Sequence, residues 1–189
     1  MDGPTGYIYI PSSKVLPHKS WSFGLHRFVC GIDYGIFEDT EIGINFDLKN
    51  MSPLFPLDDA NIKRKQDEIS LDSKIRILKE EEHPLDVTIG QRRDLIYLSF
   101  QRFFYELWDI NATGGLSWQG NKLYGFFGMS HALSTEQFLL DYDPIRNQYN
   151  LGWRFLLSPE MKLDFFLVDF TRIRNIFFDN FYFGLTVVR

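Results

Sequence analysis

Residues Thr40 to Leu48 read Thr-Glu-Ile-Gly-Ile-Asn-Phe-Asp-Leu, and this alternation constrains the fold more than any other feature of the chain. Side chains in an extended strand point to opposite faces in turn. Ile42, Ile44, Phe46 and Leu48 therefore share one face, and Glu41, Gly43, Asn45 and Asp47 share the other. The first face is apolar and large; the second is small and charged. A soluble barrel or sandwich turns such an apolar face inward. An outer-membrane barrel turns it to lipid and keeps the polar face for its lumen. Alternation alone fits both, so recurrence and the amount of apolar surface decide.

The pattern recurs along the whole chain. Ser20 to Val29 sets Trp21, Phe23 and Leu25 against Ser22, Gly24 and His26. Further alternating runs cover Leu71–Leu78, Leu85–Gly90, Leu95–Gln101, Leu123–Ala132, Phe138–Tyr142, Tyr149–Phe155, Leu163–Leu167 and Phe181–Val187. A run ending near Ser117 sets Trp108, Ile110, Ala112 and Leu116 against Asp109, Asn111, Thr113 and Ser117, and Phe126 blurs the run that follows. Tyr7–Ile10, between Gly6 and Pro11, reads as a short first strand, and Tyr34–Asp39 reads as a turn. Arg102–Tyr105 reads as another turn. These runs make twelve candidate strands with no amphipathic helix. Most connections are too short for parallel crossovers, so the strands form an antiparallel meander. A meander of this size must close or cover its edges, and a single barrel domain spanning residues 1–189 is expected.

The two faces differ in what they can pack. The polar faces collect Glu41, Asp47, Lys74, Arg76, Asp86, Asp109, Asp141, Arg154, Lys162 and Asp164. Both signs of charge are present, so these groups are expected to pair across a hydrated lumen and narrow it. Gly24, Gly43, Gly90, Gly152 and Gly184 on the same faces leave room for them. The apolar faces carry Trp21, Phe23, Phe46, Phe100, Trp108, Trp153, Phe155, Phe165 and Phe183. The chain has 19 Phe, 9 Tyr and 4 Trp, yet its mean hydropathy is only −0.19. A soluble barrel would have to fit all these rings inside, whereas a lipid-facing belt needs no such fit. Alternating faces also cancel in any window average, and no stretch nears the ~18 apolar residues of a membrane helix. The expectation is thus an up-and-down barrel of about twelve strands in a bacterial outer membrane.

Charge, cysteine content and loops add to this. A net charge of −5 argues against a nucleic-acid partner. Cys30 is the only cysteine, so no intramolecular disulfide can form. Met1-Asp2-Gly3-Pro4 has neither the basic nor the apolar region of a signal peptide, so the expected form is a mature, exported one. The longest irregular stretches, Pro11–Lys19, Asn50–Glu68 and Thr171–Phe177, fall on the same side of the meander. Bacterial barrels have short periplasmic turns and longer outer loops, which places both termini in the periplasm. Lys63-Arg64-Lys65 in the second of these stretches reads as part of a solvated loop, with contact to lipopolysaccharide phosphates as the alternative.

Catalytic patterns are sparse. Ser130 and His131 are adjacent and hence on opposite faces, so they cannot act as nucleophile and base together. His26 shares a polar face with Ser20 and Ser22 and reads as part of a lumen network; His18 and His83 fall in loops. Metal-ligand spacings and phosphate-binding glycine motifs do not occur, and no cofactor is expected. A non-enzymatic barrel is expected: a small or occluded channel, or a structural or secretion-associated component. Its alternatives are a soluble barrel binding an apolar ligand and an outer-membrane lipid hydrolase. The first would stay monodisperse without detergent. The second would release fatty acid and lose that activity in His26→Ala.

The opening Gly3-Pro4-Thr5-Gly6-Tyr7-Ile8-Tyr9-Ile10-Pro11 resembles that of YjbH-like outer-membrane proteins. Tyr34-Gly35-Ile36-Phe37 followed by Glu41-Ile42-Gly43 resembles the first turn and strand of that family. Phe127-Gly128-Met129 and Phe138-Leu139-Leu140-Asp141-Tyr142-Asp143 resemble later strands. The chain departs at Val187-Val188-Arg189, where such barrels usually end in an aromatic residue. The resemblance implies an outer-membrane barrel associated with exopolysaccharide secretion. Membrane lipids, lipopolysaccharide, the barrel-assembly machinery and polysaccharide or other secretion components are then the implied partners.

Overall fold

A computed structural model describes residues 8, 10–26, 29–47, 69–106, 108–172 and 180–189, with the side chain of residue 47 excepted. Twelve antiparallel strands form a closed barrel in simple meander order. They are β1 (Trp21–His26), β2 (Val29–Phe37), β3 (Thr40–Asp47), β4 (Ile69–Leu78), β5 (Asp86–Arg92) and β6 (Leu95–Phe104), then β7 (Ile110–Gln119), β8 (Lys122–Ala132), β9 (Glu136–Asp143), β10 (Gln148–Leu156), β11 (Met161–Leu167) and β12 (Phe181–Val188). A short 3-10 turn, Phe170–Arg172, follows β11. Closure comes from β1 pairing with β12, with Ser22 opposite Val188 and His26 opposite Gly184. No sheet edge is left to pair with another chain.

The strand count agrees with the sequence reading, but two of its elements do not. The stretch Ser20–Val29 is not one strand. It ends as β1 at His26, and β2 begins at Val29 and runs through the expected turn to Phe37. Gly31, Asp33 and Gly35 look like turn residues, yet they are the inward positions of β2. A Cβ at Gly31 would collide with Asn45 Oδ1, and one at Gly35 with the Pro17 carbonyl oxygen. The glycines are there for space. Ile8 and Ile10, assigned by their spacing to a first strand, pair with no strand and lie inside the barrel; Tyr7 and Tyr9 lie outside the described residues. Pro11–Lys19, expected as an outer loop on the side of Asn50–Glu68, instead leads from the lumen to the opposite rim, with Ser12, Ser13 and Leu16 buried.

A smaller correction concerns β6 and β7. The backbone stays extended to Phe104, and residues 105, 106, 108 and 109 are in turn conformation. Trp108 and Asp109 both have left-handed backbone angles, φ 55° and 54°. Two such residues in succession cannot continue a strand. Asp109 is therefore exposed in a turn and takes no part in the lumen, and Trp108, 83% exposed, is not on the wall.

The inside of the barrel is polar and the outside apolar. Ser22, Asp33, Glu41, Asn45, Lys74, Thr88, Ser99, Thr113, Asp141, Asn150, Arg154, Asp164 and Thr186 are all buried. Ile32, Ile42, Leu71, Ile75, Ile89, Ile96, Phe127, Trp153 and Phe183 are all exposed. Outward rings touch one another within and across strands. Phe138 stacks on Trp153 (5.5 Å), and tilted pairs form between Trp153 and Phe155 on β10 (4.7 Å) and between Tyr142 and Tyr149 (4.8 Å). By register, Trp21, Tyr34, Phe138 and Trp153 lie toward the end that carries the start of β1. Trp118, Tyr142, Tyr149 and Phe181 lie toward the other end. The two longest connections, 48–68 and 168–180, both lie at that second end, opposite the start of β1 and the end of β12.

Candidate functional site

The candidate site is the lumen, and the chain's own amino-terminal segment occupies it. Asp141 on β9 and Glu41 on β3 lie on nearly opposite sides of a twelve-strand ring. The segment bonds to both, so it must pass through the interior. Ile8 N–H donates to Asp141 Oδ2 (2.8 Å), and Leu16 N–H donates to Glu41 Oε2 (2.7 Å). Between them Ser13 is held three times. Its N–H donates to Gln101 Oε1 (2.9 Å), its hydroxyl to Ser99 Oγ (3.0 Å), and its carbonyl accepts from Thr88 Oγ1 (3.0 Å). Each partner is a wall side chain, so these bonds replace the ladder the segment lacks. The strap then turns over the rim, where Lys19 N–H donates to the Gly35 carbonyl (2.8 Å), and leads into β1.

Ile8 and Ile10 enter an apolar pocket inside the polar lumen. Tyr97, Phe126, Leu139, Phe166 and Val168 form it, with Tyr182 packed against them. Phe126 thus points inward, which resolves its poor fit to the outer face. Inward rings of this size need a bare backbone opposite them. A Cβ at Gly152 would press on Phe166 (2.8 Å), and one at Gly90 or Gly115 would strike Tyr97 or Phe126.

The charges pair along the wall beneath the strap. Arg154 Nε donates to Asp164 Oδ1 (2.6 Å) directly across β10 and β11. Lys74 meets Glu41 (3.2 Å), Arg92 meets Asp72 (3.6 Å), and Asn150 Nδ2 donates to Asp141 Oδ1 (2.6 Å). Glu41, Lys74, Asp86, Asp141, Arg154 and Asp164 are therefore all buried in the lumen, as their spacing suggests. Arg76 and Lys162 also point inward but are only half-buried. Asp47 lies on β3, with its side chain outside the described residues, as do Asn50–Glu68 and the basic triplet within it. Of the outward set, Trp21, Phe23, Phe46, Phe100, Trp153, Phe155, Phe165 and Phe183 all lie on the wall and none is buried.

Arg76 serves the mouth and does not bridge the lumen. It donates to Asp39 in the β2–β3 turn (2.9 Å), and Lys79 joins them (3.1 Å). Partial burial alone would raise the Asp39 carboxyl, but hydrogen bonds and charge from Arg76 and Lys79 outweigh it and hold Asp39 below the usual carboxylate range. Beside this cluster a cavity of about 520 Å³ opens at the same mouth, reaching Lys14, Asp86, Gln101 and Phe103. This cavity lies at the end where the strap turns into β1.

His26 sits in an arrangement that sequence spacing alone did not reveal. Its Nε2 is 3.1 Å from Thr186 Oγ1 and its Nδ1 is 3.8 Å from Asp164 Oδ2. Hydroxyl, imidazole and carboxylate in that order have the sequence of a hydrolytic triad. Thr186 and Asp164 have no exposed surface, however, so an ester carbonyl cannot reach the hydroxyl. Asp164 is also held by Arg154. Among the described residues, no three His, Cys, Asp or Glu side chains converge as metal ligands. The His26 ring lies against Gly184, where a Cβ would strike it. Gly184→Ala should therefore cost about 1–3 kcal/mol by overpacking. Gly125→Ala, whose Cβ meets nothing closer than 4.0 Å, should be neutral in the same denaturant unfolding assay.

Comparison of the chain with protein-family models, with curated proteins and with solved structures yields no match.

Proposed function

We propose that this barrel resides in a bacterial outer membrane as a non-enzymatic protein with a closed lumen. The observation that carries the reading is the polarity of the wall: paired charges inside, an apolar surface outside, and no edge. An exposed apolar patch on a soluble monomer is usually a few hundred Å². Here the apolar surface runs around all twelve strands. Hydrocarbon is the one surrounding that covers a complete ring at once. Strands β6, β7 and β8 have ten or eleven residues. Ten residues at about 3.3 Å each, tilted about 40°, rise about 25 Å, the height of a barrel's lipid-facing band. β1, β5 and β11, with six or seven residues, make a lower wall, which a bilayer meets by local thinning. Rings near both ends match interfacial girdles.

The filled lumen supports a structural or gated role over that of an open pore. The resemblance of the opening residues to YjbH-like proteins adds association with polysaccharide secretion to this proposal. By the loop-length rule, connections 48–68 and 168–180 face the cell exterior, and the start of β1 and the end of β12 face the periplasm.

Ile89→Arg tests the reading. Ile89 is an outward residue near the middle of β5, paired with Ile75 and Leu98. If it meets lipid, arginine there should cost about 2–4 kcal/mol of folding into vesicles, while Ile89→Leu costs little. If it meets water, arginine should leave stability unchanged and improve solubility without detergent.

A further inference from the structure

We propose that the lumen is a peptide-binding site and that the strap is its exchangeable ligand. The class it accepts is an extended segment carrying two β-branched apolar residues two positions apart, then proline and small hydroxyl residues. The wall closes without the strap, since every strand already has two neighbours. No strand ladder holds the strap. Backbone-to-side-chain bonds at Ile8, Ser13 and Leu16 and the burial of two isoleucines and a leucine hold it instead. That is the contact pattern of a bound extended peptide, in which backbone bonds give affinity and side-chain pockets give selectivity.

What the strap would leave behind is compatible with release. Asp141 keeps Asn150 and Glu41 keeps Lys74 as wall partners. The remaining polar groups line a lumen that water can enter, so removal does not strand buried charge as it would in an apolar core. Gly35 adds a built feature: its missing Cβ is the space through which the Pro17 carbonyl passes.

The test uses the full chain, with a protease site inserted between Lys19 and Ser20 at the exposed rim. The protein is folded in micelles and then cut. A fluorescent synthetic peptide of residues 6–19 is added, and its anisotropy is followed. The peptide should enter the cut barrel saturably and displace the native strap, and the uncut barrel should exclude it. A peptide carrying Ile8→Asp and Ile10→Asp should bind at least ten-fold more weakly. Absence of exchange in the cut barrel, equal binding to the uncut one, or equal binding of the two peptides would each overturn the proposal. Because the assay runs in micelles, its failure leaves the membrane reading to be judged separately, by Ile89→Arg.

Discussion

Arg154→Met should destabilise the folded barrel by about 3–5 kcal/mol, the cost of leaving one partner of a buried ion pair uncompensated. Asp164 has no exposed surface, and Arg154 Nε is its closest donor, at 2.6 Å. His26, at 3.8 Å from Asp164, is too far to replace a direct hydrogen bond. The double variant Arg154→Met with Asp164→Leu should recover most of the loss, because it removes both charges together. Denaturant unfolding from vesicles reads both values. A single variant losing less than about 1 kcal/mol would mean that the pair is solvated like a surface bridge.

The second large effect is expected at Gly35. A Cβ there would collide with the carbonyl oxygen of Pro17 and lie 2.9 Å from that of Leu16. Both are backbone atoms and cannot swing aside. Gly35→Val should therefore expel the strap at its rim and break the bond from Leu16 N–H to Glu41. The amides of Ser13 and Leu16 should exchange with solvent at least ten-fold faster, since both are protected only by lumen side chains. Conductance across a planar bilayer should rise from near zero. Unchanged protection and a still-closed lumen would show that the strap does not depend on this passage. Removing Arg76 and Arg154 together, by contrast, should not open the barrel, because a chain segment fills it where paired side chains alone had been expected.

The alternation made the wall legible, and the filling of the lumen was not. Period two located most strands and sorted their faces, because a strand's faces follow from chain geometry alone. The lumen charges on β3, β4, β5, β9, β10 and β11 followed from it directly. The strap escaped because Ile8 and Ile10 have the spacing of a strand, and an apolar pair two apart has the same pattern whether it meets lipid or an inward pocket. Phe126 and Phe166 lie on otherwise polar faces for the same reason. The available signal was a glycine on a neighbouring inward position: Gly115 beside Phe126 and Gly152 beside Phe166. β2 was misplaced because Gly31 and Gly35 carry the composition of a turn while serving as clearance. Asp109 and Trp108 were misassigned because alternation can continue through a turn whose backbone angles the sequence does not display.

The surroundings of the outer wall decide the central claim, and single-tryptophan variants in vesicles of brominated lipid measure them most directly. Trp21, Trp118 and Trp153 are all outward wall residues, each at least 40% exposed, whereas Trp108 lies in a turn. Bromine quenches fluorescence only at contact range. With each tryptophan kept alone, Trp21, Trp118 and Trp153 should be strongly quenched, Trp153 by bromines deeper in the chains than Trp118. Trp108 should be quenched weakly and should respond to an aqueous quencher. Equal aqueous quenching of all four, with no effect of brominated lipid on Trp21, Trp118 or Trp153, would contradict the lipid-facing wall.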